Sequence, residues 1–80
     1  MLGNENTIAL DTVPHEAGWV TVSTVHLAYV GGYETMVFET DESGEPFSMM
    51  ELDADVYQTK EEALLGHKRM MERWANKKAA

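Results

Sequence analysis

Eighty residues without a cysteine make one small domain. A chain of this size buries roughly 60% of its unfolded surface, and this one has no disulfide, thiolate zinc site or thiol nucleophile to draw on. Its formal charge of −8 is unevenly spread: residues 1–59 hold eleven acids and no Lys or Arg, while residues 60–80 hold all six cations and three acids. Direct nucleic-acid binding is therefore disfavoured, because it needs cations to displace counterions. No apolar run reaches the ~18 residues of a membrane span.

Residues 1–17 show no sustained period and read as an N-terminal arm of uncertain order. Within it "TIAL" suits a short edge strand, and "DTVPHEAG" reads as a loop, since proline cannot donate to a ladder. "WVTVSTVHLAYV" (19–30) is rich in β-branched and aromatic residues, as strands are. Gly31-Gly32 and "YETMVFET" (33–40) follow. Two such runs separated by two glycines predict a β-hairpin with a primed turn. That turn sets Val30 opposite Tyr33, Leu27 opposite Met36 and Val25 opposite Phe38. One face then collects Val25, Leu27, Tyr29, Met36 and Phe38 and is the expected core. The other collects Thr24, His26, Ala28, Thr35, Val37 and Glu39 and is expected to meet water.

"DESGEP" (41–46) reads as a turn. A third strand is expected near 47–52 or near 54–58, with a break around Asp53. Thr59-Lys60-Glu61-Glu62 is a capping box opening a helix. Glu61 and Glu62 suit the positive end of its dipole, and Lys77 and Lys78 the negative end. At about 100° per residue, Met70, Ala63, Trp74, His67, Met71, Leu64 and Ala75 share one arc. Glu62, Arg69, Glu72, Arg73 and Leu65 lie outside it. Neither sheet nor helix can bury its apolar stripe alone, so the helix is expected to cover the sheet. The fold class is α+β: an antiparallel β-hairpin or three-stranded meander with one C-terminal amphipathic helix packed on one face. Residues 18–76 form this domain and 77–80 a basic tail.

Gly66 and His67 interrupt the helical pattern. A helical glycine costs about 1 kcal/mol relative to alanine, and close approach of helix to sheet is the simplest account of Gly66. His67 reads as a neutral core histidine bonded to a carbonyl, a hydroxyl or Tyr29. The sharper alternative is a pH-responsive or ligand-binding group. His15 and His26 do not complete a zinc spacing, and no metal or cofactor is expected. Ser23 or Ser48 with a histidine and an acid permits a hydrolase only on paper. There is no G-x-S-x-G elbow, P-loop or G-x-G-x-x-G. The expectation is that the protein is not an enzyme.

Glu39, Asp41, Glu42, Glu45, Glu51, Asp53 and Asp55 form an acidic rim without the order of a calcium-binding loop. It suits a basic protein partner. Leu65 on the charged helix face, with Met49 or Met50 exposed, adds a hint of contact surface.

"VSTVHLAYV", "YETMVFET" and "YQTKEEALLGHKRMMER" resemble a widespread family of small uncharacterised bacteriophage and prophage proteins. Their pattern is STVxLG, then [FY]ETMVF, then YxTxxEAxxGHxxM. The matching residues are Ser23, Thr24, Val25 and Leu27; Tyr33 to Phe38; and Tyr57, Thr59, Glu62, Ala63, Gly66, His67 and Met70. Two departures stand out. Ala28 replaces the usual glycine, and the following segment, often longer and containing a histidine, is cut to Val30-Gly31-Gly32. The resemblance implies a viral or prophage origin and a hairpin-then-helix layout. It transfers no activity.

Together these features predict a small acidic phage-type protein that binds another protein, from host or phage, and modulates it through Glu39, Asp41, Glu42, Glu45, Glu51, Asp53, Asp55 and Leu65. The alternatives are a minor virion or assembly component and, more distantly, a small hydrolase. Self-association is compatible with the sequence. The expected location is the host cytoplasm, away from membranes, with the virion as the alternative: "MLGNENTIALD" has neither the basic nor the long apolar region of a secretory signal.

Overall fold

The structure, a computed structural model, describes residues 2–75. Its elements in chain order are β1 (Thr7–His15), β2 (Gly18–His26), β3 (Tyr33–Thr40), β4 (Asp53–Tyr57) and α1 (Lys60–Ala75). The sheet is an antiparallel meander in the order β1-β2-β3-β4, and α1 lies against all four strands. This is the expected α+β layout with one strand more. The tail at 77–80, with Lys77 and Lys78, lies outside the described residues.

The additional strand comes from the N-terminal arm. β1 pairs with β2 from Thr7↔Val25 to His15↔Gly18, with a bulge between Thr7 and Ala9. Pro14 is tolerated because β1 is an edge strand, where a missing donor need not break a ladder. Glu16 turns the chain into β2 with a φ of 53°. β4 occupies the later of the two expected positions and begins at Asp53 itself.

The β2–β3 hairpin corrects the expected register. Its pairs are His26↔Tyr33, Thr24↔Thr35, Ser23↔Met36, Val22↔Val37 and Thr21↔Phe38. Gly31 and Gly32 do take positive φ, at 79° and 83°. They close a longer loop, Leu27–Gly32, held by Leu27 N–H on Gly32 O at 2.9 Å and Gly31 N–H on Leu27 O at 2.7 Å. Met36 thus meets Ser23, four residues before the expected Leu27. An even shift keeps each side chain on its own face, so alternation alone could not detect it.

The helix also covers the other face from the one expected. The core under α1 is Val20, Val22, Val37 and Met70, with Val13, Met71 and Trp74 packed around it. Val37, Thr24 and Thr35, assigned above to the water side, have no exposed surface. On this face His67 meets Asp11 and Thr24, so the imidazole is buried with both ring nitrogens partnered. Met36 and Phe38 therefore lie on the side of the sheet away from α1.

Within α1, Ala63, Gly66, His67 and Met70 are buried. Leu64 at the margin of the arc is 43% exposed, and Leu65 is exposed as its position outside the arc implies. Thr59 caps the helix: its hydroxyl accepts from Glu62 N–H at 3.2 Å and donates to Glu62 Oε1 at 3.0 Å. The Glu62 carboxylate closes on the hydroxyl, where a full capping box would reach the backbone. Gly66 answers to close approach, because a Cβ there would overlap the ring of Tyr57 on β4.

Candidate functional site

The four strands present two faces with different fates. On the helix-covered face His67 is 4% exposed and ties three elements to α1. Its Nε2 lies 2.9 Å from Asp11 Oδ2 on β1, and its Nδ1 lies 2.7 Å from Thr24 Oγ1 on β2. Thr24 Oγ1 lies 2.6 Å from Thr35 Oγ1 on β3. With Nε2–H donating to the carboxylate, Nδ1 of a neutral imidazole accepts from Thr24, and Thr24 in turn accepts from Thr35. The array resembles an acid–histidine–hydroxyl triad in composition. Its hydroxyl is the wrong kind for attack, because Thr24 has no exposed surface and is shared between His67 and Thr35. No polar side-chain atom buried among the described residues lacks a partner. The array is a strut.

A second strut joins the far end of α1 to the sheet. Asp53 Oδ2 accepts from Trp74 Nε1 at 3.0 Å and from Arg73 at 3.0 Å. Burial alone would raise the Asp53 pKa. The Trp74 and Arg73 hydrogen bonds outweigh it and hold the carboxyl below its ordinary range. His15 Nδ1–H donates to Trp74 O at 3.0 Å, and the two rings lie 5.0 Å apart.

The face without the helix carries a groove of about 620 Å³. Ser23 and Val25 of β2 and Met36 and Phe38 of β3 belong to its floor, as the register requires. Leu2, Asn4 and Asn6 line it from the N-terminal segment, residues of the Leu27–Gly32 loop from the hairpin, and Met49 and Glu51 from the β3–β4 connection. Beyond the groove, the same face is closed by a hydroxyl ladder. Thr12, Thr21 and Thr40 link three strands at 2.8 and 2.9 Å. The turn after β3 lies over it, with a Cβ on Gly44 only 3.2 Å from Thr12 Oγ1. That turn is built by Asp41, whose Oδ1 accepts from Ser43 N–H and Oγ–H and from Glu45 N–H at 2.8, 2.6 and 3.0 Å. These bonds, the Ser43 hydroxyl first, lower the Asp41 pKa.

The groove is wet-rimmed and apolar within. Tyr29 is fully exposed, and Val30, Met49 and Met50 are also largely in solvent. Tyr29, Val30 and Met49 thus bring large exposed apolar side chains to the groove. No Lys or Arg lines the groove.

The acidic residues singled out in the sequence do not act as one rim. Glu51 lines the groove. Asp41, Glu42 and Glu45 belong to the turn over the hydroxyl ladder, with Asp41 engaged in building it. Asp53 is a strut, and Asp55 accepts from Val56 N–H at 2.9 Å. Glu39 is exposed on the last part of β3. Leu65 lies on α1, on the far side of the sheet from the groove. The floor residues Val25, Met36 and Phe38 were legible as an apolar face but were assigned to the helix. The exposed methionines were the available signal that this face stays open.

Compared with known proteins, the chain matches no family model, no curated protein and no solved structure.

Proposed function

We propose that this chain is a small acidic protein-binding module whose contact surface is the side of the sheet that α1 leaves open. The observation that carries the proposal is the coincidence there of an apolar groove with the absence of Lys and Arg among the described residues that line it. Every Lys and Arg among the described residues sits on α1, against the opposite face. Such a surface draws a basic protein in by its field and holds it by apolar contact. The resemblance to phage and prophage proteins supports a host or phage protein as that partner, met in the host cytoplasm.

The test is capture from host lysate by the immobilised full chain at low and high salt, repeated with Met49→Asp and with Leu65→Asp. A partner retained at low salt, released at high salt, lost with Met49→Asp and kept with Leu65→Asp supports the reading. Capture that survives Met49→Asp and is lost with Leu65→Asp moves the contact surface to α1. No specific capture by any of the three chains overturns the module.

A further inference from the structure

We infer that the groove takes a short amphipathic cationic segment of the partner, whose apolar side chains enter over Val25 and Met36, above buried Phe38, while its Lys or Arg residues meet Glu51 and the field of an acidic chain. This rests on the protein-binding reading above and names what the partner must present.

Three observations lead to it. First, the floor is largely apolar, Val25, Met36 and Phe38 with Ser23, and Asn6 lines it from the N-terminal segment. A few apolar side chains fit a volume of about 620 Å³, and a large flat surface does not. Second, the rim is made of residues that adapt. Met49 is unbranched and 68% exposed, and Tyr29 stands free on a glycine-ended loop. Flexible methionine rims suit amphipathic segments of varied sequence. Third, the electrostatics select the sign. The groove is lined by Glu51 and by no Lys or Arg, within residues 1–59, which carry eleven acids, no Lys or Arg and thus a net charge of −11.

The same charge pattern argues against the two other occupants. A second copy placed face to face would set two grooves lined by Glu51, and by no Lys or Arg among the described residues, against each other. It would also gain nothing by pairing through β4, whose Ala54 and Val56 amides are already taken by the Asp53 and Asp55 carboxylates at 2.9 Å each. An anionic lipid surface would be repelled by the same acids.

The probe is a synthetic helical peptide of Leu and Lys with leucines at i, i+3, i+4 and i+7. Its controls are a scramble of equal composition that destroys the stripe and a version with Glu in place of every Lys. Binding to the full chain is measured by calorimetry at two salt concentrations and mapped by amide chemical shifts. The expected result is binding that weakens as salt rises, is at least about tenfold weaker for the scramble, and is undetectable for the Glu version. Shifts should fall on Val25, Met36, Phe38 and the Leu27–Gly32 loop. Met49→Asp and Tyr29→Asp, both at exposed positions, should each weaken binding, while Leu65→Asp leaves it unchanged.

Equal binding of the scramble, or shifts confined to α1, overturns the inference. So does a sedimentation result in which the chain is already a dimer that Met49→Asp dissolves, because the occupant is then a second copy. If lysate capture depends on Met49 and this peptide still fails, the module stands and the cationic segment falls. If the peptide binds in the groove but no lysate protein does, the chemistry of the groove stands and the module falls.

Discussion

The two faces of this sheet are built from the same strands and differ in what completes them. On one, Val20, Val22 and Val37 meet Met70, and the polar groups beside them are joined to one another: Thr35 to Thr24, Thr24 to His67, Asp53 to Trp74. On the other, half-buried Val25 and Met36 meet a groove, Phe38 and Ser23 are buried at its floor, and the Thr12–Thr21–Thr40 end is covered by chain. Both faces carry hydroxyls: Thr24 and Thr35 on the closed one, Thr12, Thr21, Ser23 and Thr40 on the open one. Counting polar strand residues therefore does not choose the face. What distinguishes the closed face is that Asp11 and Thr24 together satisfy both nitrogens of the buried imidazole.

The largest way to break that contrast is His67→Ala. It removes two hydrogen bonds and leaves a void beside fully buried Thr24, and is expected to cost about 3 kcal/mol in urea unfolding. The triple change His67→Leu, Thr24→Val, Thr35→Val should recover most of that loss, since replacing all partners by apolar groups of similar shape leaves nothing buried and unpaired. A triple variant no more stable than His67→Ala would mean the array does more than close the face.

The second strut has a pH signature. The Asp53 carboxyl is held below its ordinary range in the folded chain. A group depressed in this way contributes stability that is complete above its unfolded pKa of about 4 and is lost as pH falls through the lower folded value. Stability should thus decline below about pH 4. Asp53→Asn should lower stability near pH 7 by about 1 kcal/mol, the Arg73 side of the contact being screened by water, and flatten that decline. An unchanged acid limb in the variant would assign the decline to other carboxylates, Asp41 among them.

How much of this was legible in the sequence follows from the same contrast. The helix, its Thr59 cap and the two runs at 19–26 and 33–40 were readable because each rests on a local period or a fixed spacing. The first part of β1, "TIAL", was readable as a short edge strand; its continuation through His15 was not, because Pro14 reads as a loop although an edge strand accepts it. The register was missed because Gly31-Gly32 was assigned to the shortest turn it can make, and a shift of four leaves the face pattern unchanged. The side of the sheet that the helix covers is not legible from apolar alternation, because hydroxyls and apolar residues occur on both faces. His67 in the apolar arc and Thr24 opposite Thr35 were two halves of one signal, separated by forty-three residues and joined only in space.

Gly66 sharpens the comparison at a single atom. Alanine should gain about 1 kcal/mol in a helix interior, yet here its Cβ would displace the Tyr57 ring. Gly66→Ala is therefore expected to be neutral to destabilising in the natural chain and stabilising by up to about 1 kcal/mol in a Tyr57→Ala background. The change of sign, measured by thermal unfolding of the four chains in the cycle, is the informative quantity. Additive effects would place the Tyr57 ring away from the helix.

The smallest expected effect lies on the open face. Met49→Ser and Tyr29→Ser should each change stability by less than about 0.5 kcal/mol, because side chains already in solvent contribute little burial that could be lost. That near-zero value separates the two faces more sharply than any large one. Apolar residues that cost nothing to remove are not retained by the fold, whereas Val22 and Val37, buried to the last atom, cannot be cut back without opening a cavity. A loss of 2 kcal/mol or more at Met49 or Tyr29 would mean that the rim folds down and closes the groove in solution, and the distinction between a finished and an unfinished face would disappear.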